Sequence, residues 1–216
     1  MTKFQRDTKI VDVFASPIAL YYFDESEDIK KTTLDIIKKY TKSFNIQNNN
    51  LHHYGNEVNE SVLDEKKFTK FKEWILQCSE NFIKEILGYK LHDTIMITDS
   101  WINVCDKDGW QAPHYHTNSY ISGTYYVNYK EKHSPLLFNN KDYYYSSQPS
   151  IQLETIKPTA YNSNRVIKPI EGNLILWQSH LTHGYESNQL DGRITISFNM
   201  MPTFVNSGKY GYKIVK

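Results

Sequence analysis

Apolar positions along the first third of the chain recur at helical spacing. Between Asp24 and Phe44, the residues Ile29, Leu34, Ile37, Tyr40 and Phe44 punctuate a run of lysines and threonines, which predicts an amphipathic helix. A clearer stripe runs from Val62 to Leu87, where Phe68, Phe71, Ile75, Cys78, Phe82 and Ile86 return every three or four residues and Gly88 supplies the stop. These aromatics are read as core. The asparagine-rich stretch Gln47–Asn50 between the two segments, just before Leu51, His52 and His53, is read as a surface loop.

After Gly88 the period shortens to that of strands. The segments Ile95–Cys105, Tyr120–Tyr129, Leu136–Phe138, Ile151–Ile156, Val166–Ile170, Leu174–Gln178 and Arg193–Met201 are short, β-branched or aromatic, and separated by turn-forming residues. This succession predicts a mainly β fold of α+β type, a two-sheet jelly roll preceded by helices. Two strands alternate clearly. Arg193, Thr195, Ser197 and Asn199 share one face against Ile194, Ile196, Phe198 and Met200; Ser122, Thr124, Tyr126 and Asn128 oppose Gly123, Tyr125 and Val127. Helices over the apolar face would turn the polar face inward and imply a hydrated or ligand-filled interior. Taken alone, the alternation equally allows a polar face in solvent.

A chain of 216 residues can bury a core without disulfides or a structural metal, so metal-binding patterns in it are read as functional. One domain spanning residues 1–216 is expected, with 1–90 mostly helical and 91–216 forming the jelly-roll core. The formal charge of +1 argues against a dedicated nucleic-acid partner. Two distant cysteines, Cys78 and Cys105, suit a reducing compartment, and no apolar run approaches a membrane span; a soluble cytoplasmic protein is expected. Tyrosine is abundant, at 17 residues, and suits both half-buried strands and polar-lined pockets.

Three features carry chemistry. His114-Tyr115-His116 precedes a strand, and on extended backbone residues two apart point the same way, so both imidazoles can reach one metal ion. Ser179-His180-Leu181-Thr182-His183 follows the strand ending at Gln178, where a distal histidine could complete a three-ligand face. Arg193 opens the next polar-faced strand, with Thr195 two residues on. A buried arginine needs a negative partner, and no acid shares the polar face of its own strand, which favours a bound carboxylate ligand.

The stretches Trp101-Ile102-Asn103-Val104, PHYHTNSYISGTYYVNY from Pro113 to Tyr129, EGNLILWQSHLTHGYESN from Glu171 to Asn188, and Arg193–Asn199 together resemble the Fe(II)/2-oxoglutarate-dependent dioxygenases, in particular a prolyl-hydroxylase-like group found in marine bacteria and tailed phages. Val13–Ile18 is similar to that group's N-terminal strand. The resemblance implies a double-stranded β-helix (cupin-like jelly roll) with helices on its outer face, and Fe(II), 2-oxoglutarate and O2 as reactants. It implies that His114 and His183 bind iron, that Arg193 and Thr195 hold the far carboxylate of 2-oxoglutarate, and that Asn103, Ser122 and Tyr126 face inward beside it. Tyr115 and Tyr120 are placed near the iron. The implied reaction is hydroxylation of a C–H bond in a protein or peptide side chain, prolyl-like, or in a small molecule, with release of succinate and CO2.

One position departs from the family pattern. His116 stands where H-x-D would supply a carboxylate to the two-His-one-carboxylate triad. His116 is ranked first as third ligand because its spacing is right, the alternatives being a site with two histidines only or a carboxylate from Asp106 or Asp108 in the preceding loop. His180 is read as a neighbour of the metal site, and His52, His53, His92 and His133 as solvated or structural. The insert Lys141–Ser147 and the helical N-terminal third are candidate substrate-binding elements. The competing readings are a three-histidine site with other chemistry (a Zn hydrolase or an oxo-acid-independent iron oxygenase) and a non-catalytic binding or virion-associated module. Arg193 and Thr195 weigh against the metal alternatives, which need no carboxylate anchor.

Overall fold

The computed structural model describes residues 16–39, 43–44, 50–55, 61–139, 156–157, 159 and 164–215. A seven-stranded antiparallel sheet runs in the order β1 (Ala19–Tyr22), β9 (Asn173–Gln178), β6 (Ile121–Asn128), β11 (Arg193–Pro202), β4 (Ile95–Cys105), β3 (Leu51–Tyr54) and β2 (Ser43–Phe44). Facing it is a smaller sheet ordered β5 (Gln111–His114), β10 (His183–Tyr185), β7 (Leu136–Phe138) and β8 (Arg165–Ile167). A hairpin of β12 (Phe204–Asn206) and β13 (Gly211–Lys213) follows the last long strand. Helices α1 (Ser26–Lys39) and α2 (Thr69–Asn81) cover the outer face of the large sheet.

The alternation of β6 and β11 now has a direction. Ile194, Ile196, Phe198 and Met200 of β11, Tyr125 and Val127 of β6, and Ile102 of β4 join Phe68, Phe71, Ile75 and Phe82 in one buried cluster. Phe71 sits at its centre, with ring centroids 5.2 Å from Phe23 and 4.7 Å from Tyr125. Burying such a side chain contributes about 1.5–3 kcal/mol, enough to hold the helices on this face. The polar face of the sheet therefore turns inward, toward the small sheet. A second cluster of Tyr126, Ile175 and Trp177 from the large sheet with Leu136 and Phe138 from the small one joins the two layers.

Several boundaries differ from the sequence reading. The first helix ends at Lys39 rather than continuing to Phe44, because the main chain at 43–44 pairs with His52 and His53 of β3. The second stripe is a succession: 3-10 turns at Val62–Asp64 and Lys66–Phe68, then α2, then a π-helical turn over Phe82–Ile86 that closes at Gly88, whose φ of 71° suits glycine. The N-terminal strand starts at Ala19, beyond the Val13–Ile18 stretch, of which residues 13–15 lie outside the described residues. Residues 151–155 of the expected strand Ile151–Ile156, residues 47–49 of the expected loop, and the whole 141–147 insert also lie outside them. The N-terminal third, read as helical, also contributes β1, β2 and β3 to the main sheet. Among the described residues no helix is long and apolar enough to cross a membrane.

Candidate active site

Register assembles the site. In antiparallel pairing, directly opposed residues share a face. Asn103, Thr195 and Tyr126 form one inward rung across β4, β11 and β6; Trp101, Ser197 and Thr124 form the next; Asp99, Asn199 and Ser122 the third. On the opposite sheet, His183 of β10 pairs directly with His114 of β5, which puts their ring centroids 4.4 Å apart. Between the sheets lies a cavity of about 340 Å³, lined by these histidines, the polar rungs and Arg193.

His114, His116 and His183 each present a ring nitrogen within 4.8 Å of the other two, the group of potential ligand atoms found among the described residues. The Nδ1–H of His114 donates to the Ala112 carbonyl and that of His183 to the Leu181 carbonyl, each at 2.8 Å. Both Nε2 atoms are thereby left as lone pairs, the tautomer in which a metal-binding histidine is held by a backbone carbonyl. His116 brings its Nε2 to 3.3 Å from that of His183. Its main-chain N–H is fixed by the Ser179 carbonyl at 3.1 Å, tying the segment that follows β5 to the one that follows β9. Burial pushes all three imidazoles toward the neutral form, His116 down to about 4 and His183 well below its ordinary value. Three converging neutral nitrogens suit a divalent transition metal. Asp106 instead accepts the Gly192 N–H at 2.9 Å, and Asp108 occupies a turn with φ of 66°; neither belongs to the ligand group.

Arg193 is 2% exposed. Its Nε–H donates to the Ser134 carbonyl at 3.0 Å, a second N–H reaches the Tyr126 hydroxyl at 3.4 Å, and its guanidinium lies 4.1 Å from the Tyr185 ring centroid. Burial raises the Tyr126 phenol to about 12 and the Tyr185 phenol well above its ordinary value, so both stay neutral beside it. Among the described residues no carboxylate lies within 4 Å of the guanidinium. A buried cation without a counterion is costly, and the cavity beside it is open to an anion.

The other expected residues divide. Asn103 lines the cavity, accepting from His53 Nδ1 at 2.6 Å through Oδ1 and donating its amide to Thr195 Oγ1 at 3.3 Å and Ser197 Oγ at 2.9 Å. Only donation by His53 is possible to that carbonyl oxygen, so the histidine carries its proton on Nδ1. Thr195 and Tyr126 also line the cavity, whereas Ser122 does not: its hydroxyl donates to Asn199 Oδ1 at 2.8 Å and lies 2.8 Å from Ser179 Oγ, a link between strands. Tyr115 and Tyr120 are absent from the lining, Tyr120 packing edge-on to Tyr89 at 6.4 Å, and His180 is exposed outside it. His133 is structural, accepting the Lys130 N–H at 3.1 Å and donating to the Asp191 carbonyl at 3.1 Å. His53, read as solvated or structural, is a wall of the cavity because β3 pairs beside β4.

Residues not singled out from sequence also line it. Tyr185 stands two residues past His183, and Trp101 and Asp99 two and four before Asn103, so strand parity was a signal for all three. Trp177 packs edge-on to His183 at 4.6 Å. Residues 99–199 match the family model described as "Putative 2OG-Fe(II) oxygenase". The match covers just under half of the chain and contains every cavity-lining residue except His53. No curated protein matches the chain. Among solved structures, HygX from Streptomyces hygroscopicus with nickel, 2-oxoglutarate and hygromycin B is similar at 9% identity and a TM-score of 0.56, covering 87% of this chain and 84% of that one. A Pseudomonas putida prolyl-4-hydroxylase is similar at 9% identity and a TM-score of 0.55, covering 85% and 92%. A Trichoplax adhaerens prolyl hydroxylase in complex with a hypoxia inducible factor peptide fragment is similar at 13% identity and a TM-score of 0.53, covering 84% and 83%. At these identities the shared property is the fold: antiparallel sheets with few helices.

Proposed function

We propose that this chain is an Fe(II)- and 2-oxoglutarate-dependent oxygenase built on a double-stranded β-helix, hydroxylating a C–H bond of a peptide side chain, prolyl-like, or of a small molecule. The observation that carries the reading is the pairing, in one cavity, of three converging neutral imidazoles with a buried arginine that has no carboxylate partner among the described residues. His114, His116 and His183 would hold the metal and Arg193 the distal carboxylate of the oxo-acid. When bound, iron and 2-oxoglutarate supply the oxidation of C–H by O2, one oxygen atom entering the substrate and the other succinate, with loss of CO2.

The chain's own residues position and shield. The carbonyls of Ala112 and Leu181 fix two imidazoles in the tautomer that leaves Nε2 free. Thr195, steadied by the Asn103 amide, offers its hydroxyl beside Arg193. Tyr126 and Tyr185 hold the guanidinium plane and keep water from it. A Zn hydrolase would leave Arg193 without a use. Anaerobic titration with Fe(II) and 2-oxoglutarate should develop the visible charge-transfer band of the chelate, and His183→Ala should abolish it. No band in the wild type would end this reading.

A further inference from the structure

The cavity has two electrically different ends. Arg193 opposes Cys105 and Asn199 opposes Asp99 in the same strand pair, six residues apart, which at ~3.4 Å per residue separates the ends by about 20 Å. Arg193 is buried; Asp99 is exposed and is the one acidic residue among the described residues lining the cavity. Its carboxylate is held from behind. Asn199 Nδ2 donates to Oδ2 at 2.9 Å and Thr98 Oγ1 donates to Oδ1 at 2.7 Å. The Ser122 hydroxyl, donating to Asn199 Oδ1, fixes which end of that amide faces Asp99. Both partners of the carboxylate are neutral, and no described cation lies within 4 Å of it. Two residues further along the same face, Trp101 presents a half-buried indole 6.0 Å from the His116 ring.

On the proposed oxygenase function, we infer that the substrate carries a cationic group, an ammonium or guanidinium, seated at the open end against the Asp99 carboxylate and the Trp101 ring. A positioned carboxylate beside an aromatic face binds such a group by a charge-assisted hydrogen bond and a cation–π contact. The competing role for Asp99 is compensation of the metal's charge, and the two differ in what they perturb.

The probes are acetylated, amidated heptapeptide pools that differ only at the central residue, lysine or arginine, norleucine, or glutamate, together with alkyl diamines set against alkanols of equal length. Succinate released by the Fe(II)- and 2-oxoglutarate-loaded protein is read above the substrate-free rate. Cationic probes should stimulate release, neutral and anionic ones far less. Asp99→Asn should lower that preference about tenfold, and Asp99→Lys should move it to glutamate, with the charge-transfer band forming at the wild-type Fe(II) concentration in both. Stimulation by no cationic probe, an unchanged preference in Asp99→Asn, or a weakened band in that variant with equal losses for every probe would overturn the inference while leaving the oxygenase reading in place. Absence of the band in the wild type would instead fail that reading.

Discussion

Arg193→Gln separates a structural arginine from a ligand-binding one. In the wild type the guanidinium is buried, donates to one carbonyl and one phenol, and faces no described carboxylate. If 2-oxoglutarate supplies the missing charge, removing the guanidinium costs about 2–5 kcal/mol of binding, at least about 30-fold in Kd. The effect is legible in thermal stability. At 2-oxoglutarate concentrations of 100 Kd, binding stabilises the Fe(II)-loaded protein by ~2.7 kcal/mol, which raises Tm by about 5–11 °C for a chain of this size. With Kd raised 30-fold, the same concentration gives about 0.9 kcal/mol and a shift of about 2–4 °C. Without oxo-acid, the variant should melt at or above the wild-type temperature, because it no longer buries an uncompensated charge. Anaerobic differential scanning fluorimetry over a 2-oxoglutarate series measures both quantities. A variant that melts several degrees lower without ligand yet keeps the full ligand-induced shift would refute the assignment and make Arg193 a packing residue.

Three further outcomes follow from the same geometry. His116→Asp restores a carboxylate to the ligand set and should retain the charge-transfer band with tighter Fe(II) binding, whereas His116→Ala should weaken Fe(II) binding about tenfold or more; equal bands in all three proteins would remove His116 from the site. Gly184→Ala places a Cβ 2.6 Å from the Gln111 carbonyl oxygen, between the strands that carry His114 and His183, and should cost about 1–3 kcal/mol in urea unfolding together with loss of the band. The metal-free protein should lose stability as pH falls. The folded triad refuses protons that the unfolded chain binds near pH 6.5, so this contribution is complete above pH 6.5 and declines toward pH 4, where His116 charges in the folded state. A urea midpoint unchanged across that window would contradict the neutral triad.

Local parity made much of the site legible. His114 and His116 two apart before a strand, and Arg193 and Thr195 two apart on one, needed only the two-residue period. That His183 lies opposite His114 needed the register of β5 and β10, which local pattern does not carry. Asn128 shows where parity fails. Its alternation groups it with Thr124 and Tyr126, yet a bulge in the β6–β11 pairing makes Asn128 oppose Ile194 while Tyr126 opposes Thr195. The extra residue shifts the face, and the Asn128 amide donates to the Gly192 carbonyl outside the cavity lining. His53 escaped for another reason. Its strand is only four residues long and follows a polar stretch, so nothing in its own sequence announces that it will pair with β4 and meet Asn103.

The neutral triad also bears on the order of binding. Three imidazoles contribute no negative charge, so a divalent ion in this cavity keeps its full charge, and the nearest opposite charge the lining offers is the exposed Asp99 at the mouth. A cavity with Arg193 at its closed end and a metal partway along attracts a dianion inward, and low local dielectric strengthens that attraction as water leaves. At the mouth the Asp99 carboxylate repels a second anion. On the proposed function the oxo-acid therefore enters first and runs to the closed end, and its two negative charges offset two of the three positive charges of metal and arginine. What remains for the substrate is an inner cavity with one net positive charge and a single carboxylate at its entrance. Replacing His116 by aspartate would change that balance by one unit, weakening the pull on the oxo-acid while strengthening the grip on the metal. Opposite shifts in the two affinities are thus the signature of charge, and a parallel loss of both would indicate lost geometry instead.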